Sequence, residues 1–391
     1  MQKRAAKPDA QGPKTQTTFP TMPKTTQGPI FKEEFARSKQ GNVMLSRVAG
    51  SLYWMSRYLE RAENVARLLD VNLQLLLDFG ELDDQSLKEH WGPILEAIGD
   101  QDLFFQLYET ADSESVTDFI TFCPSNPNSL VSCLSNAREN ARQVRDQISS
   151  EMWTVLNDAF HFIKSHDIRK VWDGDVGAFY DQIKQFSHLF QGITVSTFAR
   201  NEGFEFIQFG KYLERADKTS RLLDVKYHIL LPKVSDVGGA VDAAQWQAVL
   251  RSTSALEGYR RFYVADILPW KVAEFLIFQA SFPRSIFFCV DQLRQFVQLI
   301  SEDREGEAQS AGVRRFGKFA SSLKFLTTDD VFKQGLHEFV TEVQEELAAV
   351  ASYLYETYMY SPPVDMVAEI RFHQQQEQQQ QQHGLCPEAA A

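Results

Sequence analysis

Two short charged motifs recur along this chain, and their side chains are of the types that transfer protons or bind ions. The first copy holds Glu60, Arg61, Glu63, Arg67 and Asp70. The second copy holds Glu214, Arg215, Asp217, Arg221 and Asp224. A carboxylate beside a fixed positive charge can act as an acid or a base, or it can form a structural ion pair. Glu63–Arg67 has i,i+4 spacing and Arg67–Asp70 has i,i+3 spacing, as have their copies, so ion pairing on a helix explains much of the pattern.

The same charges stand in both copies although an exposed ion pair adds little to stability. Their retention indicates partial burial, either in a network between helices or at a binding or catalytic site. Buried ion networks and functional sites look alike in a sequence. Of the two, we favour the structural network. On a helical wheel Arg61 and Arg215 point toward another face.

A second charged cluster follows the first motif. It consists of Arg138, Glu139, Arg142 and Arg145. The three guanidinium groups share the edge of a predicted helix and could clamp a carboxylate or a phosphate. Pairing with the acidic motifs is the favoured alternative, and it predicts an arginine within salt-bridge reach of Glu60, Glu63, Glu214 or Asp217. The matching region near residues 293–300 does not keep the three arginines, so such a site would occur once per chain.

Other common chemistries lack their signatures. The chain has no Glu-x-x-His, GxGxxG or GxSxG motif, so we assign no metal ligand and no cofactor-binding residue. Its four cysteines form no CxxC pair. Cys133 and Cys289 stand at matching positions after Pro-x-Ser segments, where small apolar packing residues are the favoured interpretation over nucleophiles.

The charged motifs belong to a longer internal repeat. They recur at an offset of 154 residues, and weaker matches follow in the same order. Trp91, Leu95 and Tyr108 recur as Trp246, Leu250 and Tyr263, and Cys133 recurs as Cys289. Agreement of several blocks in one order indicates a duplication. The sequence therefore predicts an all-α helical bundle built from two tandem, diverged repeats of about 155 residues.

Helical periodicity places the first motif on a long amphipathic helix. Met55, Leu59, Ala62, Ala66 and Leu69 share one face of a helix predicted over 46–78, with Ser46 as its N-cap. The copy is predicted over 204–231, the longest later helix runs from about 129 to 165, and the boundary between the repeats falls near 195–203.

Charge and composition limit the remaining possibilities. The net charge of the chain is −12, with residues 1–40 at +5 and the remainder at −17. An acidic body argues against nucleic acid as a partner, and no run reaches the roughly 18 apolar residues of a membrane span. We expect a cytoplasmic protein with a disordered basic arm (1–43), two repeats (44–200 and 201–360) and a Gln-rich disordered tail (361–391). A chain starting at Met44 would lose no predicted core residue, so we favour an internal start; the alternative is that the basic arm is present and tethers the acidic body to an acidic partner.

Several segments together resemble the bacterial alpha-E domain family. They are residues 44–49, 53–64 and 137–142, together with the 212–217 copy. The likeness runs from Met44 to about Tyr360. The resemblance implies an all-helical protein of uncharacterised function, of a kind encoded beside a circularly permuted ATP-grasp protein and a transglutaminase-like protein.

Two functions are compatible with these observations. The first, implied by the family's neighbours, is a non-catalytic helical partner of the ATP-grasp amide or peptide ligase and the transglutaminase-like protein in a peptide-modification system. The second is an anion-binding enzyme or substrate-binding protein that uses an Arg/Glu constellation between the repeats. The absence of nucleophile, metal and phosphate signatures favours the first, and no catalytic residue is assigned.

Overall fold

The structure is a computed structural model that describes residues 44–79, 84–229, 240–263, 267–302 and 310–360. All the described residues belong to one compact unit. The predicted basic arm and Gln-rich tail lie outside the described residues. Helices and their connections account for the whole described part, which contains no strand and confirms the all-α class.

Sixteen α-helices are seen in the described ranges. The first eight are α1 (Ser46–Phe79), α2 (Asp84–Ile98), α3 (Gln101–Leu107), α4 (Ser113–Thr121), α5 (Leu130–Gln143), α6 (Ser150–Lys164), α7 (Ile168–Asp173) and α8 (Val176–Thr197). The second eight are α9 (Glu202–Ile229), α10 (Ala240–Ser252), α11 (Leu256–Phe262), α12 (Pro269–Phe278), α13 (Ile286–Glu302), α14 (Ala311–Leu323), α15 (Thr328–Gln334) and α16 (Leu336–Leu354). A turn of π-helix, Tyr355–Met359, follows α16.

The two longest helices, α1 and α9, pack against each other at the centre of the fold. Helix α1 also packs against α5 and α8, while α9 packs against α13 and α16. Helix α2 lies against α9, and α10 lies against α1. Both central helices are thereby surrounded by other helices, which explains how charged side chains on them become buried.

The apolar face predicted for α1 forms part of the core. Met55, Leu59, Ala62, Ala66 and Leu69 are all fully or almost fully buried. Burying a large aliphatic side chain contributes about 1.5–3 kcal/mol, so this face is a major reason why the segment is helical in the protein. The helix begins at Ser46 itself, and the amides of Val48 and Ala49 donate to the carbonyl of Leu45. The N-cap prediction for Ser46 is wrong by one position.

The long helix predicted from 129 to 165 is wrong, because two helices occupy this stretch. Helix α5 ends at Gln143, and α6 begins at Ser150. The Ser149 side chain accepts a hydrogen bond from the amide of Met152 and thereby caps α6. Val144 and Ile148 in the connection are buried, so the apolar pattern continues through a break in the helix.

Helices α1 and α9 run in the same direction and approach closely. Met44 contacts Glu202 near their N-terminal ends, and Glu60 contacts Arg215 further along. Between these points Gly210 faces Tyr53, and a Cβ atom at Gly210 would lie 2.6 Å from the Tyr53 carbonyl oxygen. The close approach therefore requires glycine at this position.

Replacing Gly210 by alanine is expected to lower the free energy of unfolding by about 1–3 kcal/mol, because the new methyl group meets a backbone carbonyl that cannot rotate away. Gly192→Ala is the matched control, since nothing lies within 4 Å of a Cβ there. That change should raise stability by up to about 1 kcal/mol through helix propensity. Chemical denaturation of both variants measures the difference, and equal effects would disprove the close packing at Gly210.

None of the helices in the described ranges is both long enough and apolar enough to cross a membrane.

Candidate functional site

The candidate site is the seam between α1 and α9, where Glu60 and Glu214 meet arginines of the opposite helix. Glu214 is fully buried, and Arg61 Nε and Nη2 donate to its two oxygens at 2.6 and 2.9 Å. Arg57 Nε and Nη2 donate to Glu214 Oε2 at 3.0 and 2.9 Å. The Arg57 guanidinium also donates to the Tyr53 hydroxyl and lies over the Trp54 ring. Both arginines are therefore held in fixed orientations.

Glu60 is bound in the same way, with the roles of α1 and α9 exchanged. Its side chain is also fully buried, and Arg215 Nε and Nη2 donate to its two oxygens at 2.7 and 3.0 Å. Arg284, which precedes α13, lies 3.2 Å from Glu60 Oε1. Each Glu-Arg dipeptide thus supplies the glutamate for the other's arginine, and we call Arg61–Glu214 and Arg215–Glu60 the crossed pairs.

The crossed pairs correct one prediction from the helical wheel. Arg61 and Arg215 do not point away from the charged stripes; each reaches across the seam to the opposite helix. The wheel describes directions around one helix, whereas the parallel packing of α1 and α9 decides which long side chains can meet.

Burial and charge oppose each other at Glu214. Burial alone would raise the pKa of Glu214, but the charges of Arg61 and Arg57 outweigh it and hold the pKa well below its usual range. The carboxylate therefore stays ionised at neutral pH. An ionised carboxylate whose two oxygens are both occupied by guanidinium groups is a poor acid or base.

Glu63 forms a third buried centre beside the crossed pairs. Arg284 donates to Glu63 Oε2 and, at 2.6 Å, to the side-chain carbonyl of Asn64. Arg67 Nε donates to Glu63 Oε1 at 3.1 Å, which confirms the predicted i,i+4 pair. The exposed His188 lies 3.6 Å from the same oxygen. Burial would raise the pKa of Glu63, but Arg284, His188 and Arg67 together hold it well below its usual range.

Arg284 is the residue that the sequence reasoning missed. It stands at the position of Asn128 in the first copy, within the Pro-x-Ser segments that precede α5 and α13. Asn128 accepts a hydrogen bond at 2.7 Å from Arg61, so both positions touch the seam. The signal available in the sequence was Arg284 itself, a single cation between the proline and the serine of this segment.

The remaining acids of the two motifs pair elsewhere. Asp217 accepts from Arg221 at 2.9 Å as its i,i+4 spacing predicts. Asp70 pairs with Lys184 of α8 at 2.7 Å and not with Arg67, so the predicted i,i+3 pair is wrong. Asp224 contacts His337 of α16 at 2.6 Å. Asp70 therefore ties α1 to α8, and Asp224 ties α9 to α16.

The arginines of α5, here including Arg145 of the turn after it, do not take part in the seam, and their predicted pairing with its acids is wrong. Arg142 pairs with its own neighbour Glu139, and the Arg142 side chain is 62% exposed. Arg138 and Arg145 lie over the Trp153 ring of α6, at 5.3 and 5.5 Å from its centroid. Arg138 also donates to the Asn157 side chain of α6 at 2.9 Å, so Arg138 and Arg145 contact α6 and form no ion pair with the described acids of α1 and α9.

Both repeated cysteines are buried packing residues. The Cys133 thiol contacts the carbonyl of Asn128, and the Cys289 thiol contacts that of Pro283. Burial raises the pKa of each thiol to about 12, so neither is a thiolate at neutral pH. In the part of the chain that is described, no three His, Cys, Asp or Glu side chains converge in a way that could hold a metal ion.

Lys211 is a buried amine beside the Glu60 centre. It stands one helical turn before Arg215, at the position that Arg57 holds in the first copy, and it is 6% exposed. Its ammonium donates to the side-chain carbonyl of Gln208 and lies 4.2 Å from the centroid of the Tyr212 ring. Burial, reinforced by the charge of Arg215, lowers the pKa of Lys211 to about 7.

Comparison with known proteins bears on the crossed pairs. A family model described as a predicted alpha-helical domain with a conserved ER motif, named Alpha-E, matches residues 44–359. In this chain the Glu-Arg dipeptide occurs twice, at 60–61 and at 214–215, which are the residues of the crossed pairs.

Uncharacterised proteins of Mycobacterium bovis and Mycobacterium tuberculosis are 27% identical to the chain over 262 residues. The matched stretch covers 63% of this chain but only 29% of each relative. No solved structure matches the chain. The family model spans far more than half of the sequence, and the chain belongs to the Alpha-E family.

Proposed function

We propose that the protein is a non-catalytic helical partner of an ATP-grasp amide or peptide ligase and a transglutaminase-like protein, acting in a peptide-modification system in the cytoplasm. The observation that carries this proposal is that both copies of the ER motif are paired inside the protein. Its glutamates are fully buried and its arginines are bound to them. A catalytic acid or base must reach a substrate proton, and these carboxylates are occupied by internal partners. The motif therefore stabilises a scaffold.

The crossed pairs also support a tandem duplication of about 155 residues, with repeats at 44–200 and 201–360. In each half a long helix is followed by seven helices whose lengths run in a similar order. The long helix of each half packs against the fifth and the eighth helix of its own half. We infer that the two repeats are joined at the seam, where each repeat neutralises the glutamate of the other.

The length of the relatives supports a role beside other proteins. More than two thirds of each mycobacterial relative lies outside the matched stretch. In those proteins the matched stretch is covalently joined to further sequence, and a partner bound non-covalently would place this chain in a comparable arrangement. The partner role itself comes from the family resemblance.

Co-expression with an ATP-grasp protein and a transglutaminase-like protein of the kind that the family resemblance implies tests the proposal. We expect the chain to elute with at least one of them as a single complex in size-exclusion chromatography. Adding the chain should change the rate of ligation, and the chain alone should not hydrolyse ATP or join peptides. Separate elution from both proteins, with unchanged ligase activity, would contradict the partner role.

The Arg138→Gln/Arg145→Gln double variant tests in the same assay whether the partner contacts α5 and α6. These arginines stack on Trp153 and carry no ion pair within the described part, so the fold should survive their replacement. A complex that forms with this variant as well would place the contact elsewhere, whereas loss of the complex would locate it on α5 and α6.

The alternative function, an anion-binding protein with an Arg/Glu constellation between the repeats, is favoured by one observation. Lys218 lies in the charged cluster around Glu214 and makes no hydrogen bond or ion pair with any described residue.

A further inference from the structure

Lys218 is a cation without an acceptor among the described residues, and it lies in the charged cluster around Glu214. It lies on α9 one turn after Glu214, and it is partly buried. The charges of Asp217, Glu214, Arg61 and Arg221 all act on its ammonium, so it belongs to the same cluster. A buried or half-buried charge usually has a partner, because leaving water without one costs free energy.

Arg221 offers unused donors one turn further along α9. Its Nε donates to Asp217, while its two terminal nitrogens donate to no described residue. The Arg221 side chain is 38% exposed, so the place is open to solvent. Residues three apart on a helix lie about 5–6 Å from each other at Cβ, which suits one oxyanion that bridges Lys218 and Arg221.

The acids near Lys218 already have donors of their own. Glu214 is bound by Arg57 and Arg61, as described for the seam. Asp217 is bound by Arg221. The Asp100 carboxylate accepts from the Asn128 amide at 3.0 and 3.2 Å. Burial raises the pKa of Asp100, which weakens it further as a counter-ion. The cluster thus contains unused hydrogen-bond donors, and these acids are already occupied and unavailable to Lys218.

The matching place on α1 is filled by the protein itself. Asn64 stands there in the position of Lys218, and its side-chain carbonyl accepts from Arg284. Arg284 and Arg67 both donate to Glu63, so the cations there are paired. The two places differ in this respect: the cations on the α1 side are paired, whereas Lys218 on the α9 side has no acceptor among the described residues.

We propose that Lys218 and Arg221 form a binding site for an oxyanion, a carboxylate or a phosphate group carried by a ligand. The ligand's two oxygens accept from the Lys218 ammonium and the terminal nitrogens of Arg221, and the nearby Arg61 adds a favourable field. One such site is present per chain. The site goes beyond the proposed partner role and does not depend on it, because binding of a small anion can be measured on the isolated chain.

Isothermal titration calorimetry on the full chain tests the proposal with two probes, inorganic phosphate and glutarate, at constant ionic strength set by sodium chloride. We expect saturable binding of at least one probe at one site per chain. Lys218→Met should weaken the affinity at least tenfold, Arg221→Gln should weaken it as well, and Lys218→Arg should retain it. Lys324→Met, which removes an exposed lysine, should leave it unchanged.

The outcomes separate the two ligand chemistries. Binding of phosphate alone identifies a phosphate site, binding of glutarate alone identifies a carboxylate site, and binding of both identifies the shared oxyanion chemistry. Circular dichroism checks that each variant is folded. Absence of saturable binding of both probes, or equal binding by a folded Lys218→Met protein, would overturn the proposal while leaving the partner role untouched.

Discussion

Replacing Glu214 by glutamine is expected to lower the free energy of unfolding by about 3–5 kcal/mol. The variant leaves the guanidinium groups of Arg57 and Arg61 largely buried without their counter-ion. Their mutual repulsion is no longer offset, and the neutral amide can accept only part of their hydrogen bonds. Denaturant unfolding followed by circular dichroism measures the loss.

Glu139→Gln is the matched control for Glu214→Gln, because Glu139 also pairs with an arginine but at the surface. Both partners of that pair are exposed, so its removal should leave stability unchanged within error. An equally small effect of Glu214→Gln would show that the seam is solvated and that the crossed pairs contribute no more than a surface ion pair.

Replacing Lys211 by methionine is expected to change how stability depends on pH. The pKa of Lys211 is about 7 in the folded protein, against about 10.4 in an unfolded chain. Below pH 7 both states carry the proton, and folding must bury the charge. Between these two pKa values the unfolded state binds more protons, so stability rises with pH by up to about 1.4 kcal/mol per pH unit. Above about pH 10.4 the Lys211 amine is neutral in both states, so folding no longer has to bury a charge.

The methionine variant should lack this rise and should be more stable than the wild type at pH 7. Urea unfolding at several pH values between 7 and 10 measures both slopes. Glu60, Arg215, Arg284 and Cys289 act electrostatically on Lys211 and remain in both proteins, so their contributions largely cancel in the comparison. Lys324→Met should keep the wild-type slope. A Lys211→Met protein with that same slope would show that Lys211 stays protonated throughout.

The sequence predicted the elements better than the contacts between them. The apolar wheel of α1 identified side chains that are buried, because periodicity is a local property of one helix. The break between α5 and α6 was missed because apolar residues continue through it, while the Ser149 cap was an available signal that was overlooked.

The contacts at the seam could not be derived from one helix alone. Arg61 and Arg215 were placed on another face because a wheel ignores the neighbouring helix. Arg284 lies more than 200 residues after Glu63, and only the packing of α13 on α9 brings the two together. The arginines of α5 were expected at the seam because acids were available there, yet Trp153 of the adjacent α6 binds two of them.

The crossed pairs offer a physical reason for a conserved ER motif in this family. A dipeptide places its glutamate and its arginine about 100° apart on a helix, so both side chains can reach a second helix that packs closely against the first. At such a contact two copies of the dipeptide satisfy each other, as Glu60, Arg61, Glu214 and Arg215 do here. The motif then specifies which two helices lie at the centre of the bundle.

Double-mutant cycles test this account most directly. One set of cycles pairs residues across the seam, Glu60 with Arg215 and Glu214 with Arg61, with glutamine as the replacement in each case. The other set pairs the neighbours within each dipeptide, Glu60 with Arg61 and Glu214 with Arg215. The account predicts coupling energies of about 1–3 kcal/mol across the seam and much smaller values within a dipeptide. Coupling within the dipeptides that equals or exceeds the coupling across the seam would contradict it.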